Sequence, residues 1–450
     1  MRRQKKEHTK KQRSPQGSRS NRSSEEKKAP DKELTLKKLE SLTLKEIYQY
    51  AREYKIPYYS KMNKKELALA VIKAQAKEKG FYEMSGVLEI LPDGYGFLRA
   101  INYSSSQEDV YISNSQIKRF GLRNGDLVVG TARPPHPKEK LSGLMHVDTV
   151  NGQDPEKAKK RPHFPALTAI YPDKQLKLET SKERLSSRVI DLFAPIGFGQ
   201  RGMIVAPPKA GKTSLLKEIA QGIAYNYPDA KLIMLLIDER PEEVTDLERT
   251  VKGDVVYSTF DQKPENHVKV SELVLDRAMR LVENKQDVII LLDSLTRLAR
   301  AYNLVLPPSG RTLSGGIDPA ALYRPKKFFG AARNVEEGGS LTILSTALVN
   351  TGSRMDDVIY EEFKGTGNQE LQLDRSLAER RIFPAVDLKK SGTRKEELLL
   401  SQEQLSAIWK LRKTMTGNTL KDVPQVLNML KQTEDNAAFC RQLDKLEIKR

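Results

Sequence analysis

Cysteine and long apolar segments are scarce in this sequence. Its 450 residues include one cysteine, Cys440, which excludes an internal disulfide and argues against a zinc site built on cysteine. The longest apolar runs, Leu232 to Ile237 and Val288 to Leu292, are much shorter than the roughly 20 residues that a membrane helix needs. The basic N-terminus also lacks the apolar core of a signal peptide. These absences predict a soluble cytoplasmic protein, and the length predicts two or three domains.

Acidic residues are outnumbered, and the formal net charge is +18. Residues 1–30 contain eleven Lys or Arg against three Asp or Glu, which contributes +8 of that charge. A basic balance favours a polyanionic partner, with nucleic acid preferred to a membrane. Residues 1–33 are expected to form a disordered basic tail, for which a solvated leader without a specific partner is an equal alternative.

One glycine-bearing stretch organises the chain. Residues 202–214 end in Ala-Pro-Pro-Lys-Ala-Gly-Lys-Thr-Ser, close to the P-loop pattern in which a strand leads into a phosphate-binding turn at the start of a helix. In that pattern Lys212 neutralises the β- and γ-phosphates and the Thr213 hydroxyl ligates Mg²⁺. Ala206 stands where the first glycine is expected, so a surface turn that happens to contain Gly-Lys-Thr is the alternative.

Residues 34–80 show helical periodicity. Thr43 to Glu46 forms a capping box, and Asn63 to Glu66 begins a further helix, which together predict a small N-terminal helical bundle. Its lysines would suit nucleic acid, although a merely solvated face is the stronger interpretation.

Residues 81–151 change to short alternating runs broken by turns. Five predicted strands suggest a small barrel of the OB or cold-shock type, at residues 87–91, 95–98, 109–112, 127–131 and 144–150. Between Asp93 and Arg99, glycine alternates with Tyr95 and Phe97, so both rings fall on one face of a strand and form a stacking platform for unpaired bases. Tyr111 would extend this platform. The alternative is that the rings point into the barrel core.

Residues 152–166 are charged and rich in Lys and Pro, which predicts an interdomain linker. From 167 to 430 buried strands alternate with helices, which indicates an α/β domain with a parallel sheet that carries the P-loop, followed by a C-terminal helical tail at 431–450. Two strand runs lead into Glu239 and Asp293. Since ligands bind at the carboxyl ends of parallel strands, Asp293 is expected to hold Mg²⁺ and Glu239 to activate water, although either acid could instead cap a helix.

Hydrolysis also needs positive charge at the γ-phosphate, which ring ATPases commonly take from a neighbouring subunit. Arg381 and Arg394 are the candidates, and spacing alone leaves both open to being ordinary surface residues. Two glycine-bearing loops, at 313–318 and 351–355, carry groups suited to RNA contact. Flexible loops without a function are the alternative.

Three segments resemble one family, the bacterial transcription termination factor Rho, whose members are ring-shaped RNA-dependent ATPases and helicases. The segments are Val205 to Thr213 with Ala206 included, Asp293 to Asn303, and Phe328 to Asn334, within a resemblance that spans about residues 34 to 430. The resemblance thus implies a multidomain fold, α+β and α/β, with the helical bundle, the barrel and a RecA-like P-loop ATPase domain in that order.

The resemblance also implies roles for single residues. Nucleotide contacts are implied for Gly197, Phe198, Gly199, Gln200, Arg201, Gly202, Lys209, Ala210, Gly211, Lys212, Thr213, Ser214 and Arg240. Catalytic roles are implied for Lys212, for Glu239 in activating water, for Arg394 as an arginine finger and for Arg381 as a second arginine acting across the interface. Primary RNA binding is implied for Gly94, Tyr95, Gly96, Phe97, Leu98, Arg99, Asp109, Val110 and Tyr111, and channel contacts for Gly315, Gly316, Ile317, Asp318 and Arg354.

The implied activity is that of a homohexamer with ATP and Mg²⁺ at its subunit interfaces, which captures single-stranded RNA, translocates along it from 5′ to 3′ and releases the transcript from RNA polymerase. Two other classes remain open. A rotary or protein-export P-loop ATPase would hydrolyse ATP regardless of RNA, which the platform at Gly94 to Arg99 disfavours. A passive RNA-binding protein with a vestigial nucleotide site is disfavoured by the joint presence of Lys212, Glu239 and Asp293.

Overall fold

The computed structural model describes residues 34, 36–136 and 139–445. The predicted basic tail, residues 1–33, and the last part of the predicted C-terminal tail, residues 446–450, lie outside the described residues. Among the helices of the described ranges, none is both long enough and apolar enough to cross a bilayer.

The chain begins with three helices, α1 (Leu36–Ser41), α2 (Leu44–Glu53) and α3 (Lys64–Lys79). The capping box predicted for α2 is confirmed, since the Thr43 amide donates to Glu46 Oε2 at 2.6 Å and the Glu46 amide donates to Thr43 Oγ1 at 3.4 Å. The same exchange starts α3, where Asn63 and Glu66 bond each other at 2.9 Å in both directions. Local polar chemistry therefore sets where both helices begin.

Five strands then close a barrel in the order β1, β2, β3, β5, β4, with α4 (Asn114–Phe120) after β3. The strands are β1 (Tyr82–Ile90), β2 (Gly96–Arg99), β3 (Val110–Ile112), β4 (Leu127–Arg133) and β5 (Ser142–Val150). Only the β3–β5 pairing is parallel among these. The predicted five-stranded barrel is confirmed, and its core is filled by alternate residues such as Leu88, Leu98 and Val128.

The segment for which a linker is predicted is ordered and packed. It contains α5 (Pro155–Lys159), capped by Asp154 and started by a proline, and a 3₁₀ turn at Phe164–Ala166. Between them Arg161 is buried, where its Nη2 donates to both oxygens of Asp126 at 2.7 Å and its Nε donates to Glu283 Oε2 at 3.0 Å. Asp126 belongs to the barrel and Glu283 to the ATPase domain, so this arginine joins the two.

A mixed, mostly parallel sheet forms the third unit, and its principal strand order is β14, β13, β7, β12, β10, β8, β9. Its strands are β6 (Ala169–Ile170), β7 (Arg201–Ala206), β8 (Lys231–Glu239), β9 (Asp254–Thr259), β10 (Asp287–Asp293), β11 (Arg333–Val335), β12 (Ser340–Leu348), β13 (Gln369–Gln372) and β14 (Gly392–Thr393). Strands β7 to β10, β12 and β13 pair in parallel, as the alternation of strands and helices predicts.

Helices cover both faces of this sheet, and apolar clusters fill the two layers between. They are α6 (Leu185–Phe193), α7 (Lys212–Asn226), α8 (Pro241–Thr250), α9 (Pro264–Val282), α10 (Leu295–Val305), α11 (Pro319–Gly330), α12 (Arg354–Lys364), α13 (Arg375–Glu379), α14 (Gln402–Thr414), α15 (Thr419–Lys431) and α16 (Asn436–Lys445). The predicted C-terminal tail contributes α16, whose Phe439 and Cys440 are buried in the same cluster as α7.

Candidate nucleotide site and nucleic-acid platform

A phosphate-binding turn connects β7 to α7. Lys209 and Gly211 adopt left-handed backbone angles, with φ of 64° and 87°, and Gly211 is the N-cap of α7 without a side-chain cap. The backbone N–H groups of the first helical turn are therefore presented to an anion, which the helix dipole also favours. Ala206 is fully buried as the last residue of β7, in regular pairing with Leu348, so the position does not need glycine.

Lys212 lies between two buried carboxylates at the ends of neighbouring strands. Its Nζ is 2.5 Å from Asp293 Oδ1 and 2.9 Å from Glu239 Oε1. Burial raises the pKa of the Asp293 carboxyl, while the Lys212 ammonium opposes that rise. Burial lowers the pKa of Lys212, but the charges of Asp293 and Glu239 leave it above the ordinary lysine value. The predicted convergence of these three groups is confirmed.

The residues predicted to hold a metal ion offer only oxygen atoms. The Thr213 hydroxyl lies in the first turn of α7, 3.4 Å from Glu243 Oε2, and Asp293 also accepts a hydrogen bond of 2.8 Å from Thr346 Oγ1. In the described ranges, no group of three or more His, Cys, Asp or Glu side chains is arranged to hold a metal on its own. A hydroxyl and a carboxylate fit Mg²⁺, which takes one or two protein ligands together with substrate phosphates and water.

Arg297, to which the sequence patterns assign no role, contacts the candidate catalytic carboxylate, Glu239. Its Nη1 is 3.2 Å from Glu239 Oε2, so Glu239 is held between Lys212 and Arg297. The available signal was its place four residues after Asp293, on the helix that opens beside the site. Arg240 follows Glu239 as the exposed N-cap residue of α8.

Phe383 is a second residue that the sequence did not assign. Its ring is 48% exposed, and a methyl group placed on Gly211 would lie 3.4 Å from it. An exposed aromatic ring beside the phosphate turn is suited to stacking on a nucleobase. Arg381 is exposed two residues earlier, with φ of 59°, and its role across an interface stays a prediction.

The implied nucleotide contacts at Gly197 to Gly202 do not lie at this chain's own P-loop. Gly202 is the second residue of β7 and Ala206 is the last, a separation of about 13 Å along the strand, and the phosphate turn follows Ala206. Phe198 and Gln200 are buried as well, so their side chains are not presented to a ligand. The reason is that this turn packs beneath β12 and β13, where Gln200 Nε2 donates to Asn368 Oδ1 at 2.6 Å.

Arg394 lies at the same end of the sheet as that turn. Its amide donates to Asn368 O at 2.8 Å, directly after the pairing of Thr393 with Gln369. Burial and the charges of Arg333 and Arg394 lower the pKa of Arg201, so three arginines gather at this edge. Within one chain, Arg394 is thus removed from Lys212, and its role as an arginine finger across an interface stays a prediction.

The predicted aromatic platform is present on the barrel surface. The ring centroids of Tyr95 and Phe97 are 5.8 Å apart, those of Tyr95 and Tyr111 are 5.7 Å apart, and those of Phe97 and Tyr111 are 6.1 Å apart. Phe97 and Tyr111 face each other across β2 and β3. Since all three side chains retain solvent exposure, the alternative in which they fill the barrel core is wrong. The cluster has the form of a stacking surface for bases.

Neighbouring residues support this platform from beneath. Leu98 and Val110 are fully buried in the barrel core, because strand alternation turns their side chains inward, and their implied part in RNA binding stays a prediction. Arg99 and Asp109 are also buried and bond each other, and the Arg99 guanidinium lies 5.1 Å from the Phe97 centroid. At Gly96 a Cβ atom would come within 2.6 Å of Glu89 O, so only glycine permits this strand pairing.

The two glycine-bearing loops of the ATPase domain contact each other. Gly315 and Gly316 have φ of 78° and 81°, and a Cβ on Gly315 would lie 2.6 Å from the Met355 amide nitrogen. Arg354 is exposed at the start of α12. Ile317 is fully buried, so its side chain does not reach a ligand, and Asp318 caps α11 while bonding Ser309. These loops form one joined surface, which the sequence did not reveal.

Three family models match the chain. Residues 38–80 match "Rho termination factor, N-terminal domain", residues 84–156 match "Rho termination factor, RNA-binding domain", and residues 186–393 match "ATP synthase alpha/beta family, nucleotide-binding domain". The chain is similar to "Transcription termination factor Rho" of Bacillus subtilis, at 66% identity over 91% of this chain and 96% of that protein. It is similar to the protein of the same name from Thermotoga maritima, at 53% identity over 92% of this chain and 98% of that one.

Solved structures support the fold of the ATPase domain. A prototypical ATPase from the type III secretion system of pathogenic bacteria superposes with a TM-score of 0.52 at 24% identity, covering 63% of this chain and 88% of that one. The assembled secretion ATPase EscN gives the same TM-score at 22% identity, covering 70% of this chain and 79% of that one. At such identities the likeness concerns the fold alone.

Proposed function

This chain belongs to the transcription termination factor Rho family, and on that premise we propose that it is an RNA-dependent ATPase that terminates transcription. The observation that carries the proposal is the presence, in one chain, of an aromatic platform and a phosphate-binding turn whose lysine contacts two carboxylates. Tyr95, Phe97 and Tyr111 supply the platform. Lys212, with the two carboxylates that it bridges, supplies the site.

ATP is proposed to bind with its phosphates in the turn at Lys209 to Ser214 and its base against Phe383. On binding, Lys212 exchanges its carboxylate partners for phosphate oxygens, which is favourable because a phosphate chain carries more negative charge. Glu239 is then released from Lys212 while Arg297 still holds it, and it orients a water molecule for attack on the γ-phosphate. Mg²⁺, held by Thr213 and Asp293, would neutralise charge on the β- and γ-phosphates.

We propose that the arginine edge of one subunit completes the site of the next. Arg394 and Arg201 lie at the opposite end of β7 from their own P-loop, so they contact a transferring phosphate only across an interface. A closed ring meets this requirement with identical interfaces, and a homohexamer is the proposed assembly. Arg381 is proposed as a further cation at the same interface.

RNA is proposed to bind first on the barrel, with bases stacked on the platform, and then in the channel of the ring. There the joined loops at Gly315 and Arg354 contact its backbone. Asp356, close to Arg354 on α12, accepts from Arg300 Nε at 2.8 Å and from Thr351 Oγ1 at 2.6 Å, so this surface is tied to α10, which also carries Arg297. Movement of these loops with hydrolysis would translocate RNA from 5′ to 3′ and release the transcript from RNA polymerase.

The two alternatives are less well supported. A rotary or protein-export ATPase shares the sheet and the P-loop, but the chain matches two Rho domain models ahead of its ATPase domain. A passive RNA-binding protein would not need Lys212, Glu239 and Asp293 brought within hydrogen-bond distance.

The test is ATP hydrolysis by the purified protein with and without single-stranded pyrimidine-rich RNA. The proposal predicts strong stimulation by RNA and none in Lys212→Ala. Lys217→Ala is the matched control, because Lys217 lies on the same helix but pairs with Asp246, at 3.0 Å, where Lys212 pairs with Glu239 and Asp293. Hydrolysis that is indifferent to RNA, or a Lys212→Ala protein as active as the Lys217→Ala control, would contradict the proposal.

A further inference from the structure

The loop between β2 and β3, residues 102–108, connects the RNA platform to the ATPase domain. Its two flanking strands carry Phe97 and Tyr111. At its start, Asn102 pairs with the backbone of Tyr257 in β9, donating from Nδ2 to the carbonyl at 2.7 Å and accepting at Oδ1 from the amide at 2.8 Å. The side-chain amide thus replaces a strand partner at the edge of the ATPase sheet.

Two further contacts hold the same loop. Tyr103 packs against the apolar cluster of the ATPase domain, next to Arg277. Lys269, on α9, donates from Nζ to Ser105 Oγ at 3.1 Å and lies 3.0 Å from Glu89 Oε1 of β1. The loop is therefore bonded to both β9 and α9.

On the barrel side these contacts reach the platform directly. Glu89 accepts a hydrogen bond of 2.5 Å from Arg99 Nε, and the Arg99 guanidinium lies against the Phe97 ring. Asp109, which also binds Arg99, accepts from the Ser106 amide of the loop at 2.8 Å. A base that stacks on Phe97 thus contacts the ring against which Arg99 lies, and Arg99 bonds both acids that position the loop.

On the ATPase side the same strand reaches the catalytic carboxylate. Two residues after Tyr257, Thr259 lies opposite Glu239 in the β8–β9 pairing. The Phe260 amide then donates to Glu239 O at 3.2 Å. Asn102 is thus bonded to the strand whose end fixes the backbone of Glu239.

The backbone of the loop is strained at its anchor. Asn102 and Tyr103 are consecutive residues with φ of 46° and 54°, in a left-handed region that asparagine tolerates but that costs about 1–2 kcal/mol at Tyr103. Such a conformation persists only where surrounding contacts hold it.

We propose that loop 102–108 is a positioning element that couples RNA on the platform to the orientation of Glu239. This inference rests on the proposed function. RNA that stacks on Phe97 shifts the Arg99 guanidinium behind the ring. Glu89 and Asp109, which bond Arg99 and also hold Lys269 and Ser106, move with it, so that the loop and β9 shift relative to β8. RNA bound on the platform then changes the rate of ATP hydrolysis through the orientation of Glu239, so the platform does more than hold RNA.

The test separates RNA binding from RNA-stimulated turnover. Asn102→Gly removes both bonds to Tyr257 while suiting the left-handed backbone. Lys55→Gly is the matched control, because Lys55 also has positive φ, at 52°, and is exposed on the helical bundle. The measurements are the affinity for a short fluorescent pyrimidine RNA, the ATPase rate without RNA, and the maximal rate with long pyrimidine RNA.

Asn102→Gly is expected to keep the first two values within about twofold and to lose about fivefold or more of the RNA stimulation, as loss of a coupling energy of ordinary size would cause. Lys269→Gln should show the same separation and Lys269→Arg should restore stimulation, which keeps the inference testable if Asn102→Gly does not fold. Full stimulation in both Asn102→Gly and Lys269→Gln, or a loss explained by weaker RNA binding, would overturn the coupling role. Absence of stimulation in the wild type would instead contradict the proposed function.

Discussion

Replacing Lys212 by alanine should destabilise the protein itself before any nucleotide is added. Its Nζ is the cation between Asp293 and Glu239, whose side chains are only 1% and 4% exposed. Removing one partner of a buried ion pair leaves uncompensated charge and costs about 3–5 kcal/mol. At about 2 °C per kcal/mol for a large domain, the melting temperature should fall by roughly 6–10 °C.

The loss should also depend on pH. Burial raises the pKa of Asp293 above its unfolded value, so without Lys212 the folded state binds more protons than the unfolded state. The stability that Lys212→Ala loses is therefore largest above the folded-state pKa of Asp293. This loss becomes smaller as the pH falls below that pKa. Thermal unfolding of Lys212→Ala, wild type and the Lys217→Ala control, followed over a pH series from alkaline to acidic, measures both effects. A Lys212→Ala protein that melts with wild type throughout the series would refute this account of the site.

Three further variants test other parts of the structure. Tyr95→Ala combined with Phe97→Ala should lower RNA affinity at least about tenfold without changing ATP affinity, since each stacked base contributes about 1–3 kcal/mol. Filter binding measures the RNA affinity. An unchanged RNA affinity would show that the platform is not part of the RNA site. Arg394→Ala should bind nucleotide normally but hydrolyse it about 10³-fold more slowly. Mixing Arg394→Ala with Lys212→Ala subunits should restore partial activity, because each variant supplies the half of the site that the other lacks. Mixed rings without any recovery would contradict a contribution of Arg394 across the interface. Arg161→Met should lower the free energy of unfolding by about 3–5 kcal/mol, since buried Asp126 loses the cation that it pairs with, while Glu283 keeps Arg123 and Arg280. An unchanged melting temperature would show that this joint is not stabilising.

Local signals in the sequence predicted much of the fold. The capping residues Thr43 and Asn63 mark where helices begin, and the alternation of Tyr95 and Phe97 places both rings on one surface. Each of these depends on residues a few positions apart, where backbone geometry alone fixes which side chains meet. The approach of Asp293 to Lys212 was also predictable, because parallel strands end at one edge of a sheet.

Contacts between distant parts of the chain were not predictable in this way. Arg161 meets partners 35 and 122 residues away, and Asn102 meets Tyr257 across 155 residues, in a segment where charge and composition indicate only a loop or a linker. The burial of Ile317 was not predictable for the same reason. Its neighbours in the sequence indicate an accessible loop, and only the packing of distant segments shows that the side chain is buried. Arg297 was missed because the signal for it is helical spacing from Asp293, which acquires meaning only once Glu239 is placed beside it.

Release of a transcript from a purified transcription elongation complex tests the central claim most directly. The wild-type protein should release RNA when ATP is hydrolysed and should release none with a non-hydrolysable ATP analogue. Lys212→Ala should release none, and Lys217→Ala should match the wild type. Transcript release that continues without ATP hydrolysis, or its absence when RNA-stimulated hydrolysis is intact, would contradict the account.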